Sequence, residues 1–162
     1  MGRESILAVL RELARCYQAF EAFSATHIRT LDLTPPQFDI IATLGNTPGL
    51  SFKQLGEKTL ITKGTLTGVV DRLESRSLVE RVAASHDGRS TIVRLTPAGE
   101  RLFKRAFPAH LEHLRLALGG LGAPQLDRIE AALGGLRAAF AAARPQTGEP
   151  TPRRAGRKKA RP

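Results

Sequence analysis

The chain is poor in the residues that usually brace small proteins: one cysteine, Cys16, no tryptophan and one tyrosine, Tyr17, in 162 residues. A lone thiol excludes an intrachain disulfide framework and a multi-thiolate zinc site. With 41% hydrophobic residues and few large aromatics, the core is expected to be aliphatic. Long apolar runs are also missing. Ala138 to Ala143 falls far short of the roughly 20 residues needed to span a bilayer, and Met1-Gly2-Arg3-Glu4-Ser5 opens no signal-peptide h-region. A cytosolic protein with no membrane partner is expected. Catalytic signatures are absent as well: there is no Gly-Lys of a phosphate loop, no Ser-x-x-Lys, no Gly-x-Ser-x-Gly and no His-Glu-x-x-His. Neither an enzyme nor a cofactor is therefore expected.

Charge is unevenly spread. The net +10 comes from 25 basic and 15 acidic residues, and residues 145–162, with six basic and one acidic, carry half of it. That segment has four prolines and almost no apolar content, so it reads as a disordered basic tail that is either simply solvated or weakly attracted to a polyanion.

The remainder is patterned as helices. Ile6, Leu10, Leu13, Tyr17 and Phe20 recur at spacings of three and four, predicting a first helix over 5–31 with Cys16 buried among its apolar residues. Thr34-Pro35-Pro36-Gln37 is a capping-box start for a second helix to Leu44. Ser51 and Gln54 repeat the box for a third helix over 52–59. Thr62 then caps a fourth, with Leu66, Val69, Val70 and Leu73 on one face. Leu78 to Val82 and Thr91 to Leu95 are rich in β-branched residues and predict a hairpin around a basic-tipped loop. Thr96-Pro97 opens a fifth helix, which Pro108 should kink. A sixth begins at Pro124, where Leu126, Ile129, Leu133, Leu136 and Phe140 form a heptad-like seam.

Helix, tight turn, helix and hairpin make a winged helix-turn-helix, mainly α with a small β wing. If the fourth helix buries its leucines and valines, its other face presents Gly64, Thr67, Gly68 and Asp71, flanked by Lys63, Thr65 and Arg72. Thr65 and Thr67 suit base edges, while Lys63, Arg72 and the wing's Arg89 suit phosphates or the minor groove. Asp71 and Asp87 would repel DNA, so each is assigned a structural task, Asp71 beside Arg72 or Arg76 and Asp87 beside Arg89 in the wing.

These residues carry a resemblance. Leu33-Thr34-Pro35-Pro36-Gln37-Phe38, the run from Lys63 to Glu74, Asp87-Gly88-Arg89-Ser90 and Leu95-Thr96-Pro97-Ala98-Gly99 together resemble the MarR family of bacterial transcriptional regulators over about residues 5–144. The resemblance implies a homodimer built from residues 1–31 and 98–144, a winged DNA-binding domain over 32–97, a palindromic operator, and release of a repressor by a small ligand. It assigns the groove to Thr62, Lys63, Thr65 and Thr67, with Ser51 joining the DNA-facing set, and the wing to Asp87 and Arg89. Many members carry arginine where this chain has Gly68. The implied ligand cleft gathers Phe23, His27, Arg29, Phe38, Phe107 and His110, which suits a small aromatic carboxylate meeting Arg29 or a protonated histidine.

Two other readings fit the residues. An architectural DNA-binding protein would use the basic tail and bind random DNA nearly as tightly as its own promoter. A zinc-responsive regulator would use His110 and His113, although no partner cluster is evident for a metal site. For the regulator, Arg89→Ala should weaken operator binding and flatten its salt dependence by about one counterion per subunit, measurable as the slope of affinity against salt.

Overall fold

The computed structural model describes residues 2–59, 61–83 and 91–143. It divides into two compact units, Met1–Gly119 and Gly120–Pro162. The expected wing-tip loop, with Asp87 and Arg89, and the basic tail from 145 onward lie outside the described residues.

In the first unit, α1 (Arg3–Thr30) is followed by α2 (Pro35–Leu44), strand β1 (Leu50–Ser51), α3 (Phe52–Lys58), α4 (Lys63–Ser75), strands β2 (Val79–Ala83) and β3 (Thr91–Leu95), and α5 (Pro97–Leu118). The helix starts follow local chemistry. Gln37 Oε1 accepts from the Thr34 N–H at 2.9 Å. Gln54 Oε1 accepts from the Ser51 N–H at 2.9 Å while Ser51 Oγ accepts from the Gln54 N–H, the reciprocal exchange that satisfies two orphan donors. Thr96 Oγ1 accepts from the Gly99 N–H and donates to the Ser77 carbonyl. α5 runs on for ten residues beyond Pro108.

The hairpin is antiparallel with Val79 opposite Leu95 and Arg81 opposite Val93. Its sheet has a third strand that periodicity could not reveal. The two-residue β1 pairs with β3, Leu50 opposite Val93, giving the order β1-β3-β2. Against this sheet lie the buried faces of α2 and α4, with Ile40, Ile41, Leu44, Leu55, Leu66, Val70, Leu73, Val79 and Val93 essentially inaccessible. The core is aliphatic apart from Phe38 and Phe103.

One expectation on α1 is corrected. Cys16 is exposed, not buried, because residues 4–22 have no cover within their own unit and even Leu10, Tyr17 and Phe20 are 40–48% exposed. The second unit contains α6 (Ala123–Ala142), which has no buried residue and presents Leu126, Ile129, Leu133 and Phe140 to the outside.

Glycine is required where α5 starts. A Cβ on Gly99 would lie 2.0 Å from the Leu78 carbonyl oxygen, inside the strand-to-helix junction. Gly64, by contrast, has nothing within 4 Å of that point. Gly99→Ala should therefore cost about 1–3 kcal/mol in denaturant unfolding, whereas Gly64→Ala should leave stability level or slightly raised; equal effects would refute the packing argument.

Candidate DNA interface and ligand cavity

The orientation of α4 follows from burial. Leu66, Val69, Val70 and Leu73 are at most 2% exposed, and the helix therefore turns Gly64, Thr65, Thr67, Asp71 and Arg72 outward, with Gly68 half-buried. Lys63 occupies the first helical position. Thr62 stands at the N-cap, but its hydroxyl pairs with the Thr65 hydroxyl at 3.0 Å instead of capping the backbone. Ser51 is half-buried and spends its side chain on the α3 cap. Side chains on a helix lean toward its N-terminus, and Arg72 accordingly reaches back. Its Nη2 lies 4.0 Å from where a Cβ on Gly68 would sit, so a guanidinium covers the bare turn.

Asp71 has a different partner from those expected. It pairs with Arg81 of β2 at 2.5 Å, and Arg81 also bridges to Glu74. The same guanidinium lies 5.4 Å from the centre of the Phe52 ring on α3. Arg76 instead binds the turn after α1, donating to the Asp32 carbonyl at 2.7 Å and pairing with its carboxylate at 3.1 Å. Neither pairing was visible in helical spacing, since both partners come from other elements. Arg81 of β2 thus joins the strand to α4 and α3.

A cavity of about 450 Å³ opens between α1, α2, α5 and the start of α4. Its apolar wall comes from Phe20, Ile28, Phe38, Ala42, Phe107 and Leu114, and its polar groups are Tyr17, Glu21, Ser24, Asp39, Thr62, Thr65 and His110. Of the six residues expected to form the ligand cleft, Phe38, Phe107 and His110 line it. Phe23 and His27 sit behind His110 in the α1–α5 seam, and Arg29 is exposed and outside the lining. Tyr17, Glu21, Ser24 and Asp39 were missed. On α1 the available signal was spacing, Tyr17 three before and Ser24 four after Phe20, with Glu21 four after Tyr17, but nothing in the sequence tells a cavity wall from a solvated face.

Behind the cavity, three histidines knit α1 to α5. His110, 4% exposed, has Nε2 at 3.1 Å from Ser24 Oγ and Nδ1 at 3.2 Å from His27 Nδ1. His113 stacks on Phe23 with centroids 4.3 Å apart, and its Nε2 lies 3.1 Å from the Phe23 carbonyl, which can only accept; that nitrogen carries a proton. The His27–His110 contact needs one bare nitrogen and one N–H, so two imidazolium rings would set N–H against N–H. Burial first, then the neighbouring histidines, hold both His27 and His110 below the ordinary value of 6.5. Among the described residues, no group of three or more His, Cys, Asp or Glu is arranged to hold a metal ion.

The sign of the pH effect follows. With folded values below the unfolded one, the folded state binds fewer protons, so this stability is present above about pH 6.5 and is lost as pH falls toward the lowered values. Thermal midpoints should be level between about pH 7 and 8 and fall by several degrees toward about pH 5, with a smaller fall in His110→Gln. A wild-type midpoint unchanged by acid would contradict the seam chemistry.

Residues 31–90 match a family model described as the MarR family. The transcriptional regulator MhqR of Bacillus subtilis is 32% identical over 107 residues, 66% of this chain and 74% of that protein. A probable transcriptional regulator from Pseudomonas aeruginosa is 34% identical, with TM-score 0.67 and coverage of 76% of this chain and 92% of that one. BpsR of Bordetella bronchiseptica, whose structure describes regulation of DNA binding by 6-hydroxynicotinic acid, is 28% identical, with TM-score 0.71 and coverage of 80% and 98%. No described helix is long and apolar enough to cross a membrane. A matching family model, a relative this similar over most of its length, and a helix-turn-helix followed by a hairpin that β1 extends to a three-stranded sheet identify the chain as a member of the MarR family of DNA-binding transcriptional regulators.

Proposed function

We propose that the protein is a homodimeric repressor that binds a palindromic operator through α4 and the wing and leaves it when a small aromatic ligand occupies the cavity. One observation carries the link between ligand and DNA: Thr62 and Thr65 belong both to the cavity wall and to the exposed start of the recognition helix. A ligand touching them bears on the residues assigned to the groove. Ligand and operator then oppose each other with a reciprocal coupling free energy.

Dimerisation is supported by the apolar residues that α1 and α6 each leave exposed, among them Leu10, Phe20, Leu133 and Phe140. Exposed apolar surface of this kind marks association, and a two-fold dimer matches a two-fold operator. In the DNA-facing set, Thr65 and Thr67 read base edges, while Lys63, Arg72 and Arg89 take phosphates. Gly64 and Gly68 keep the turn low enough for close approach. Asp87 is assigned to hold the wing.

For the ligand, a wall of phenylalanines around a cavity of this size suits one or two aromatic rings. The regulation of BpsR by 6-hydroxynicotinic acid supports an aromatic effector. The carboxylate expected to meet Arg29 lacks that partner in the wall, since Arg29 is exposed and outside the lining. This reading therefore keeps the ring, not the acid.

Footprinting on the DNA upstream of the chain's own gene tests the proposal. Two protected half-sites about one helical turn apart are expected, bound by a species with the mass of two chains and released by members of a panel of phenols, aryl amines and aryl acids. A single-chain mass at micromolar concentration, equal affinity for random DNA, or protection that no panel member lifts would each overturn it.

A further inference from the structure

We propose that the cavity selects an aromatic amine, positively charged at neutral pH, over an aromatic acid of the same shape. This rests on the reading of the cavity as the effector site and names the ligand class that it takes.

The polar lining favours a cation. Glu21 on α1 and Asp39 on α2 stand on two walls of the same cavity, with the Tyr17 hydroxyl beside them. Tyr17 donates to Glu21 Oε1 at 2.8 Å, which leaves the second carboxylate oxygen to accept from a ligand ammonium. The Tyr17 phenol registers both charges: its bond to Glu21, then burial, then the charges of Glu21 and Asp39 hold it above its ordinary value.

Among the described residues nothing comparable serves a carboxylate: the lining contains no lysine or arginine. Its histidine, His110, is held toward the neutral form by burial and by His27 and His113, so at pH 7 it offers no full charge. An acid lying with its ring on Phe38 and Phe107 would bring its charge into the field of Glu21. An amine in that pose donates a charge-assisted hydrogen bond to Glu21 and gains the face of the Tyr17 or Phe20 ring for its cation.

Three probes separate charge from shape: tyramine, 4-ethylphenol and 4-hydroxyphenylacetate share a phenol on a two-carbon chain and differ in ending as cation, neutral group and anion. Calorimetric titration of the full chain at pH 7 should rank them in that order, tyramine tighter than 4-ethylphenol by about fivefold. Glu21→Gln keeps an acceptor for Tyr17 and removes the charge. It should abolish the advantage of tyramine while leaving 4-ethylphenol within about twofold. Ala42→Leu, which fills the cavity, should weaken all three.

If the acid or the neutral phenol binds as tightly as the amine, or if Glu21→Gln leaves the amine's advantage intact, the charge preference is wrong while the cavity reading stands. If none of the three binds, or if Ala42→Leu changes none of them, the cavity is not the effector site and both readings fall together.

Discussion

The buried inner face of α4 is the constraint from which the DNA-binding half of this protein follows. Leu66, Val69, Val70 and Leu73 fill the space between α2 and the sheet, and a helix whose four apolar residues are out of water cannot roll about its axis without exposing them. At about 1.5–3 kcal/mol for each fully buried side chain of this kind, such a rotation would cost about as much as the whole stability of a small domain. The outward set of threonines, glycines and Arg72 is thereby held in place by residues that never meet DNA. Arg81 adds the rotational lock on the other side, gripping Asp71 and Glu74 from the wing strand.

The same helix has a second neighbour. Its first turn closes one end of the ligand cavity, whose opposite wall is the seam of α1 and α5. There the packing is polar: His110 pairs with Ser24 and His27, and His113 with the Phe23 carbonyl and Thr26, at the back of a phenylalanine-lined space. A buried polar network of this type is rigid when every group is paired and costly when one is not. The seam therefore places the cavity wall. Gly99 and the Thr96 cap hold the other end of α5 against the hairpin.

Much of this was legible before any coordinates. The helix starts at Thr34, Ser51 and Thr96, the apolar face of α4, the hairpin strands and the seam of α6 all appear in the sequence. Each rests on interactions within four residues or on a period set by the backbone. The outward set on α4 follows from the same periodicity, because it is the complement of the buried face.

Tertiary structure decided what no period encodes. The two residues of β1 become a strand only because β3 arrives beside them. Asp71 looked equally able to pair with Arg72 or Arg76, yet the strand brings Arg81 to it and the α1–α2 turn takes Arg76. Cys16 sits in an apolar stripe that reads as buried, but α1 is left uncovered along that stretch. Arg29 shares a helix with the cavity wall but is exposed and outside the lining, while Glu21 and Asp39, unremarkable in sequence, both belong to it. Sequence by itself determined the helices, their caps and which face of each is apolar, since those depend on neighbours along the chain. Charge partners, the composition of the cavity and the exposure of α1 depend on residues tens of positions away, and only the folded chain brings them together.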